Sequence, residues 1–503
     1  MSSLVLGVDG GTEGLRASLF DTSGNQLSVG IASYRTVHPQ TAWAEQSPDD
    51  WIQALGAAVR KCVAGHPVEA IKAMSIDTTC CTVVALDASG KPLRPAILWM
   101  DMRSSTQADR VSKTGDVALR VNGAGKGAVS AEWMVPKALW LRENERDVYD
   151  AAATICEYQD FMNFYLTGRM CASACNVSIR WHYDSERGWP VSLVETLGMA
   201  DILDKWPKDV LQVGDIVGGL TAEAAASMGL PVGLPVAQGG ADAFIGMLGL
   251  GVVEPGQMAL LTGSSHLHLG CVSDMFQSPG VWGTYRDGVL KGTHVVEGGQ
   301  TSTGSIVAWF RRMCQELDYE QLNREAMQIA PGCDGVICLD HFQGNRTPWT
   351  DPLSRGCITG LSLNHTRAHM YRALIESICY GTECVLEAMR EGGFAASTIS
   401  IAGGPTKSPL WLQTHADVSQ VPLVVTRCSD APSLGSAIAA AVAVGLFKDI
   451  PSACKSMVHV QRVVQPDPAL KVTYQRQIER YKKLYAAMRD LREASGGDDL
   501  NEM

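Results

Sequence analysis

At 503 residues the chain is too long for one ordinary hydrophobic core, so two large domains are expected. A net charge of −11 with no basic block argues against nucleic acid and anionic membranes as partners. The fifteen cysteines show no C-x-x-C pattern, no apolar run reaches membrane-spanning length and no signal peptide is expected, so a soluble cytoplasmic protein with mostly buried thiols is predicted.

Leu4 to Phe20 is the stretch around which the chain is organised. An apolar run of strand length ends in Asp9-Gly10-Gly11-Thr12, and a second strand-like run, Arg16 to Phe20, folds back over the turn. Adjacent glycines let backbone N–H groups converge on an anion, and Thr12 adds a hydroxyl. Asp9 would repel a phosphate unless a divalent cation lay between them, which suggests a magnesium nucleotide. A plain glycine-turn hairpin is the competing reading. The spacing excludes the G-x-G-x-x-G of a dinucleotide fold.

Ser47-Pro48-Asp49-Asp50 predicts a helix start with a capping serine, and the helix should reach about Ala64. Strands are expected over Ala70 to Asp77 and Val83 to Leu86. If extended, the segment after them sets Trp99, Asp101 and Arg103 on one side; these line a polyol pocket or form an ion pair beside a core tryptophan. Lys137 to Asn144 reads as an amphipathic helix, and Cys156-Glu157-Tyr158-Gln159-Asp160 precedes another that ends near Leu166-Thr167-Gly168. Strand Val236 to Gln238 runs into Gly239-Gly240-Ala241-Asp242, which exposes an acid at a backbone turn; a helix-capping aspartate competes with that reading.

Met258 to Leu269 repeats the opening design half a chain later, with Thr262-Gly263-Ser264-Ser265 as its polar turn. Two related domains, each offering one hairpin, would grip a nucleotide from both sides. Glu297-Gly298-Gly299-Gln300 is expected to start a helix reaching Trp309. A long helix should cover His369 to Met389, ending at Gly392-Gly393. Ile399 to Ala402 reads as a strand leading into Gly403-Gly404-Pro405-Thr406-Lys407, whose double glycine allows a flat base to lie against backbone; Ser408 and Pro409 then cap the next helix. Val424-Val425 is a further strand, Pro432 to Phe447 an alanine-rich helix that can pack close to a sheet, and Ala469 to Ala494 a last helix before a disordered tail, 495–503.

With these pieces in order the chain resembles the FGGY carbohydrate kinases from Gly7 to about Tyr485. The first phosphate motif is similar to Asp9-Gly10-Gly11-Thr12-x-x-x-Arg16, the catalytic aspartate matches Asp242, the second phosphate motif matches Thr262–Ser265, and the adenosine motif matches Gly403–Trp411. Ile76 to Thr82, Glu297-x-x-Gln300 and Gly344 to Pro348 look most like pentulose kinases of the ribulokinase type. The Gln-Met-His usual in xylulokinases and the Arg-Glu pair of glycerol kinases are absent. The resemblance implies an α/β fold of two actin/hexokinase-like (ribonuclease H-like) domains with ATP in the cleft between them. Residues 1–245 would carry the sugar site and first hairpin, and 246–503 the second hairpin and adenosine site. It implies ATP and Mg²⁺, with Asp9 at the metal and Gly11, Thr12, Arg16, Thr262, Gly263, Ser264, Ser265, Gly403, Gly404, Thr406 and Lys407 around the nucleotide. Thr78, Thr79, Asp101, Trp133, Asp242 and Glu297 would line the sugar pocket, and Glu157 is a weaker candidate. The partner expected is a small sugar, with a homodimer as the candidate assembly. The reaction implied is phosphorylation of a ketopentose, D-ribulose first, with xylulose, L-ribulose or a polyol as alternatives. A chaperone-like ATPase or a non-catalytic sugar sensor are the rival classes; retention of Asp9, Asp242 and the pocket residues argues against both.

Overall fold

The computed structural model describes residues 3–315 and 318–494; the predicted tail lies outside them. The first half supplies β1 (Leu4–Gly10), β2 (Gly14–Asp21), β3 (Gln26–Ser33), α1 (Pro48–Val63), β4 (Ile71–Thr78), α2 (Met134–Asn144), α3 (Tyr158–Thr167), α4 (Ala174–Arg180), β5 (Ile216–Gly219), β6 (Pro235–Ala237) and α5 (Asp242–Gly249). The second supplies β7 (Gln257–Thr262), β8 (His266–Val272), β9 (Gly283–Arg286), β10 (His294–Gln300), α6 (Gly304–Met313), α7 (Tyr319–Ala326), α8 (Arg367–Glu391), β11 (Thr398–Gly403), α9 (Pro409–Ser419), β12 (Leu423–Thr426), α10 (Ala431–Ala443), β13 (Val460–Val464) and α11 (Lys471–Ala494).

The internal repeat is explicit in the sheets. One runs β5-β6-β4-β1-β2-β3 and the other β9-β10-β8-β7-β11-β12-β13. In each, an antiparallel hairpin (β1/β2, β7/β8) is extended by a third antiparallel strand on one side and by parallel strands on the other, β4 beside β1 and β11 beside β7. The parallel strands β1 and β4 are buried along nearly their whole length, as strands covered on both faces are. This is the two-sheet α/β fold that the resemblance implied.

Helix α10, late in the chain, packs on β1 and β4 of the first sheet and on α5. Its small residues permit this: a Cβ added at Gly435 would lie 2.1 Å from the Ile245 carbonyl oxygen. Among the described residues no helix is long and apolar enough to cross a membrane.

Three of the helix readings fail in detail. Ser47 sits at the N-cap of α1 but makes no side-chain capping bond. Helix α2 is not amphipathic: Met134 to Leu141 are buried on every side, and Lys137 donates to the Cys81 and Leu98 carbonyls. Glu297 begins no helix; it lies inside β10, and the helix starts at Gly304.

Candidate active site

The first hairpin turn lies beside the start of α5, where Asp242 acts on Asp9. Asp9, near the end of β1, is the register partner of Arg16 on β2 and of Asp77 on β4. Gly11 closes the turn by donating its N–H to the Gly14 carbonyl at 3.1 Å. The Thr12 hydroxyl accepts from Trp99 Nε1 at 3.0 Å, which leaves its own hydrogen to be donated. Arg16 is half-exposed and reaches Asp430, the residue before α10, at 3.4 Å.

Asp242 is the first residue of α5. Its carboxylate accepts its neighbour Ala243's N–H at 2.7 Å and stays partly open to the cleft. The preceding Gly239–Ala241 segment runs along the end of β4, where the Thr78 N–H donates to the Gly240 carbonyl at 3.1 Å. Burial lifts Asp242 from 3.8 to about 6. Burial and then repulsion from Asp242 and Asp430 lift Asp9 to about 7. Asp77, fully buried, is pushed well above 3.8 by burial and by Asp9, opposed by the Ser436 hydroxyl that donates to it at 2.6 Å. Four acids thus share one region with Arg16 as the cation beside them, and Asp77 Oδ1 has no partner. That excess of carboxylate suits a divalent cation. Among the described residues no trio of His, Cys, Asp or Glu forms a metal cage, so such a cation would draw further oxygens from phosphate and water.

The second turn is shaped the same way. The Gly263 N–H donates to the Ser265 carbonyl at 2.9 Å, and the Ser264 carbonyl accepts the N–H groups of Thr303 and Ser305 at 2.9 and 3.2 Å, docking the turn on the start of α6. The Thr262 hydroxyl donates to the Ala402 carbonyl. Gly403, at φ 102°, passes so close to β7 that a Cβ would lie 2.0 Å from the Thr262 carbonyl oxygen, so glycine is required there. Thr406 donates back to the Gly403 carbonyl at 2.6 Å. A cavity of about 690 Å³ opens between Gly263-Ser264, the start of α6, Tyr319 and Asn323 of α7, Tyr371 of α8, and Gly404, Lys407 and Trp411. Three aromatic residues, the Ser264 and Ser305 hydroxyls and an open glycine suit a nucleoside.

Arg180 at the end of α4 meets Glu297 on β10 with both terminal nitrogens, at 2.8 and 3.0 Å. Tyr285 donates to the same carboxylate at 2.5 Å. The Trp133 ring lies 5.8 Å from the guanidinium and has an indole N–H with no partner. Thr79 abuts the first hairpin, its N–H donating to the Gly10 carbonyl at 3.0 Å. Asp101 is not on an extended segment. It is fully buried in a turn, where Arg103 and the Ala44 N–H take both carboxylate oxygens. Glu157 is likewise consumed, accepting from the Cys81 N–H, Asn176 and Trp181.

Sequence reasoning missed Arg180, Tyr285 and Asp430. Arg180 sits in Ser178-Ile179-Arg180-Trp181, which carries no motif, and its partner is 117 residues away. Asp77 reads as part of the sugar segment in sequence, which gives no sign of its contact to α10.

Residues 4–249 match the N-terminal and residues 258–444 the C-terminal domain of the FGGY family of carbohydrate kinases. The chain is 33% identical to an FGGY carbohydrate kinase domain-containing protein of Homo sapiens, with 95% of each chain covered. It is 30% identical to a ribulokinase of Shouchella clausii, over 96% of this chain and 95% of that one. Among solved structures, a xylulose kinase from Rhodospirillum rubrum superposes with a TM-score of 0.87 at 26% identity, covering 97% of this chain and 99% of that one. The chain therefore belongs to the FGGY family of carbohydrate kinases.

Proposed function

We propose that the protein transfers the γ-phosphoryl group of ATP to a ketopentose, giving ADP and the 5-phosphate, with D-ribulose as the preferred substrate. The observation that carries the reading is Asp242: a partly open carboxylate at the start of α5, lifted to about 6 by burial and flanked by Asp9 and Thr78. A base of that pKa is ionised at neutral pH and basic enough to accept the sugar hydroxyl's proton as attack develops, an effect of about 10²–10⁴-fold. Alignment and charge neutralisation supply most of the rest.

In this reading the turns at Gly11-Thr12 and Thr262–Ser265 hold the phosphates, and Gly403, Gly404, Thr406 and Lys407 border the adenosine. Asp9 holds Mg²⁺, which when bound neutralises phosphate charge. Glu297, fully buried with both oxygens engaged by Arg180 and Tyr285, acts on the sugar at one remove through those two partners. Thr78, Thr79 and Trp133 complete the pocket. Asp101 acts at one remove, since its oxygens are already engaged. The division at about residue 245 puts the first hairpin and most of the sugar pocket in one half and the second hairpin and adenosine site in the other.

Ribulokinase relatives at about 30% identity over nearly the whole chain support a pentulose over a polyol. D-ribulose is preferred on overall resemblance. The test is kcat/KM with ATP for D-ribulose, L-ribulose, D-xylulose, ribitol, xylitol and glycerol. A lead of about tenfold or more for D-ribulose is expected, the effect of one mismatched buried hydroxyl. Preference for D-xylulose would overturn the reading of the Thr78–Cys81 segment, and preference for a polyol would overturn the pentulose assignment.

A further inference from the structure

Directly after Thr78-Thr79 come Cys80 and Cys81, the chain's one pair of adjacent cysteines, with sulfurs 3.7 Å apart. Neighbouring side chains on an extended strand point to opposite faces. Here Cys81 is in the left-handed region at φ 65°, uncommon for a residue with a Cβ, and that kink breaks the alternation and brings the sulfurs together. Two buried charged groups fix the kinked residue: its N–H donates to Glu157 Oε2 at 2.9 Å and its carbonyl accepts from Lys137 Nζ at 2.7 Å. Cys80 is partly exposed while Cys81 is buried. Cys80 lies in the field of the Arg180 guanidinium, the group that holds Glu297.

We propose that Cys80 and Cys81 are a redox-active vicinal dithiol, which a hydroperoxide converts to a reversible disulfide that weakens sugar binding. The partly exposed Cys80 attacks the peroxide O–O bond as thiolate, giving a Cys80 sulfenic acid and releasing an alcohol or water. Cys81 then attacks the Cys80 sulfur, the S–S bond forms and water leaves. In sum, two thiols lose two hydrogens and the peroxide is reduced to an alcohol, or water, and water. Adjacent Cα atoms lie about 3.8 Å apart, below the usual disulfide range of about 4.4–6.8 Å. The closed ring is therefore strained and readily reopened by a dithiol reductant. Closing draws the sulfurs from 3.7 Å to about 2.05 Å. Because Cys81 is anchored by Glu157 and Lys137, Cys80 makes most of that movement, next to Thr79 and Arg180.

The experiment is treatment of the full-length protein with hydrogen peroxide, then alkylation, trypsin digestion and mass spectrometry. Cys80 and Cys81 fall in one tryptic peptide, 73–103, which has no other cysteine. That peptide should lose about 2 Da, refuse alkylation and recover both properties after dithiothreitol. In Cys81→Ser the 2 Da loss should vanish and Cys80 should gain oxygen instead. A wild-type peptide that stays doubly alkylated, or in which fragmentation places added oxygen on Cys80 or Cys81 (and not on Met74, Met100 or Met102) without loss of hydrogen, overturns the dithiol. The kinetic arm rests on the proposed sugar site: oxidation should raise the sugar KM about tenfold and spare the KM for ATP. The mass arm needs no substrate, so it separates failure of the dithiol from failure of the substrate reading. Disulfide formation with an unchanged KM for every sugar that is turned over overturns the effect on sugar binding.

Discussion

Replacing Asp242 with Asn should lower activity and raise stability, and the second effect has a defined pH window. Asn keeps the oxygen that accepts the Ala243 N–H but cannot take a proton, so kcat should fall about 10²–10⁴-fold with little change in ATP affinity. The native carboxyl is lifted from 3.8 to about 6 by burial, so the folded state holds its proton more tightly than the unfolded chain. Its contribution is complete below about pH 4, is lost as pH rises to about 6, and stays lost above. At full burial that gap corresponds to about 3 kcal/mol. With the carboxylate partly open to the cleft, ~1–2 kcal/mol is the expected gain for the variant at pH 8, or a rise of about 1–3 °C in Tm. At pH 4 the gain should disappear. Wild-type kcat should fall about tenfold per pH unit below 6 as the base is protonated, a limb the variant's residual activity should lack. Calorimetry at both pH values and steady-state kinetics read these out. A variant keeping more than half of wild-type kcat would remove Asp242 from the role of base, and an equal Tm difference at pH 4 and pH 8 would refute the burial argument.

Asp9→Asn should raise the Mg²⁺ concentration needed for half-maximal rate by about tenfold or more while sparing sugar affinity; unchanged Mg²⁺ dependence with unchanged kcat would rule the residue out as the metal's contact. At Gly404 an added Cβ meets nothing within 4 Å, so Gly404→Val should fold normally and raise the KM for ATP about tenfold; isotherms showing normal ATP and weakened sugar binding would mean that the adenosine site is elsewhere. Arg180→Met strands Glu297 in the interior and should cost about 3–5 kcal/mol, visible as a lower denaturation midpoint, with much of the loss recovered by adding Glu297→Gln. No recovery in the double variant would show that Arg180 stabilises by packing alone. Gly435→Ala forces α10 from α5, since its Cβ would meet the Ile245 carbonyl at 2.1 Å; both Tm and kcat should fall, and a wild-type Tm would contradict the close approach.

The hairpins were legible because their chemistry is local. Asp9-Gly10-Gly11-Thr12 and Thr262–Ser265 place acid, glycine and hydroxyl within one turn, and strand alternation on either side sets the register. The Ser408 cap of α9 was equally readable, and its side chain does accept the Trp411 N–H. What failed depended on distant partners. Gly298-Gly299 looked like the start of a helix, yet it lies in β10 where α8 passes close: a Cβ at Gly298 would lie 2.5 Å from Val385 Cγ1. Lys137 made α2 look amphipathic because no local pattern announces two carbonyl acceptors, at Cys81 and Leu98, that let an ammonium be buried. Asp101 offers its charge to a pocket when only its neighbours in sequence are considered, while Arg103 and Ala44 occupy both of its oxygens in the fold. Arg180 was silent for the same reason, since its meaning lies wholly in Glu297.

Helix α10 ties these parts into one device. It leaves the second sheet's strand β12, lies across β1 and β4, and packs on α5. Asp430 at its start takes the Arg16 guanidinium and the Ser18 hydroxyl, and Ser436 in its middle donates to Asp77. Strand register sets Asp9 beside Asp77, and this one helix adds Asp430, braces Asp77 and packs on the helix that carries Asp242. The burial and the carboxylate repulsion that lift Asp9 are held in place by apolar packing along its alanine-rich face. A site that concentrates negative charge destabilises itself until a cation arrives, and rigid burial of small residues is what offsets that cost. The alanine and glycine content of 431–443, which carries no chemistry of its own, is thus as much a part of the active site as the acids it spaces.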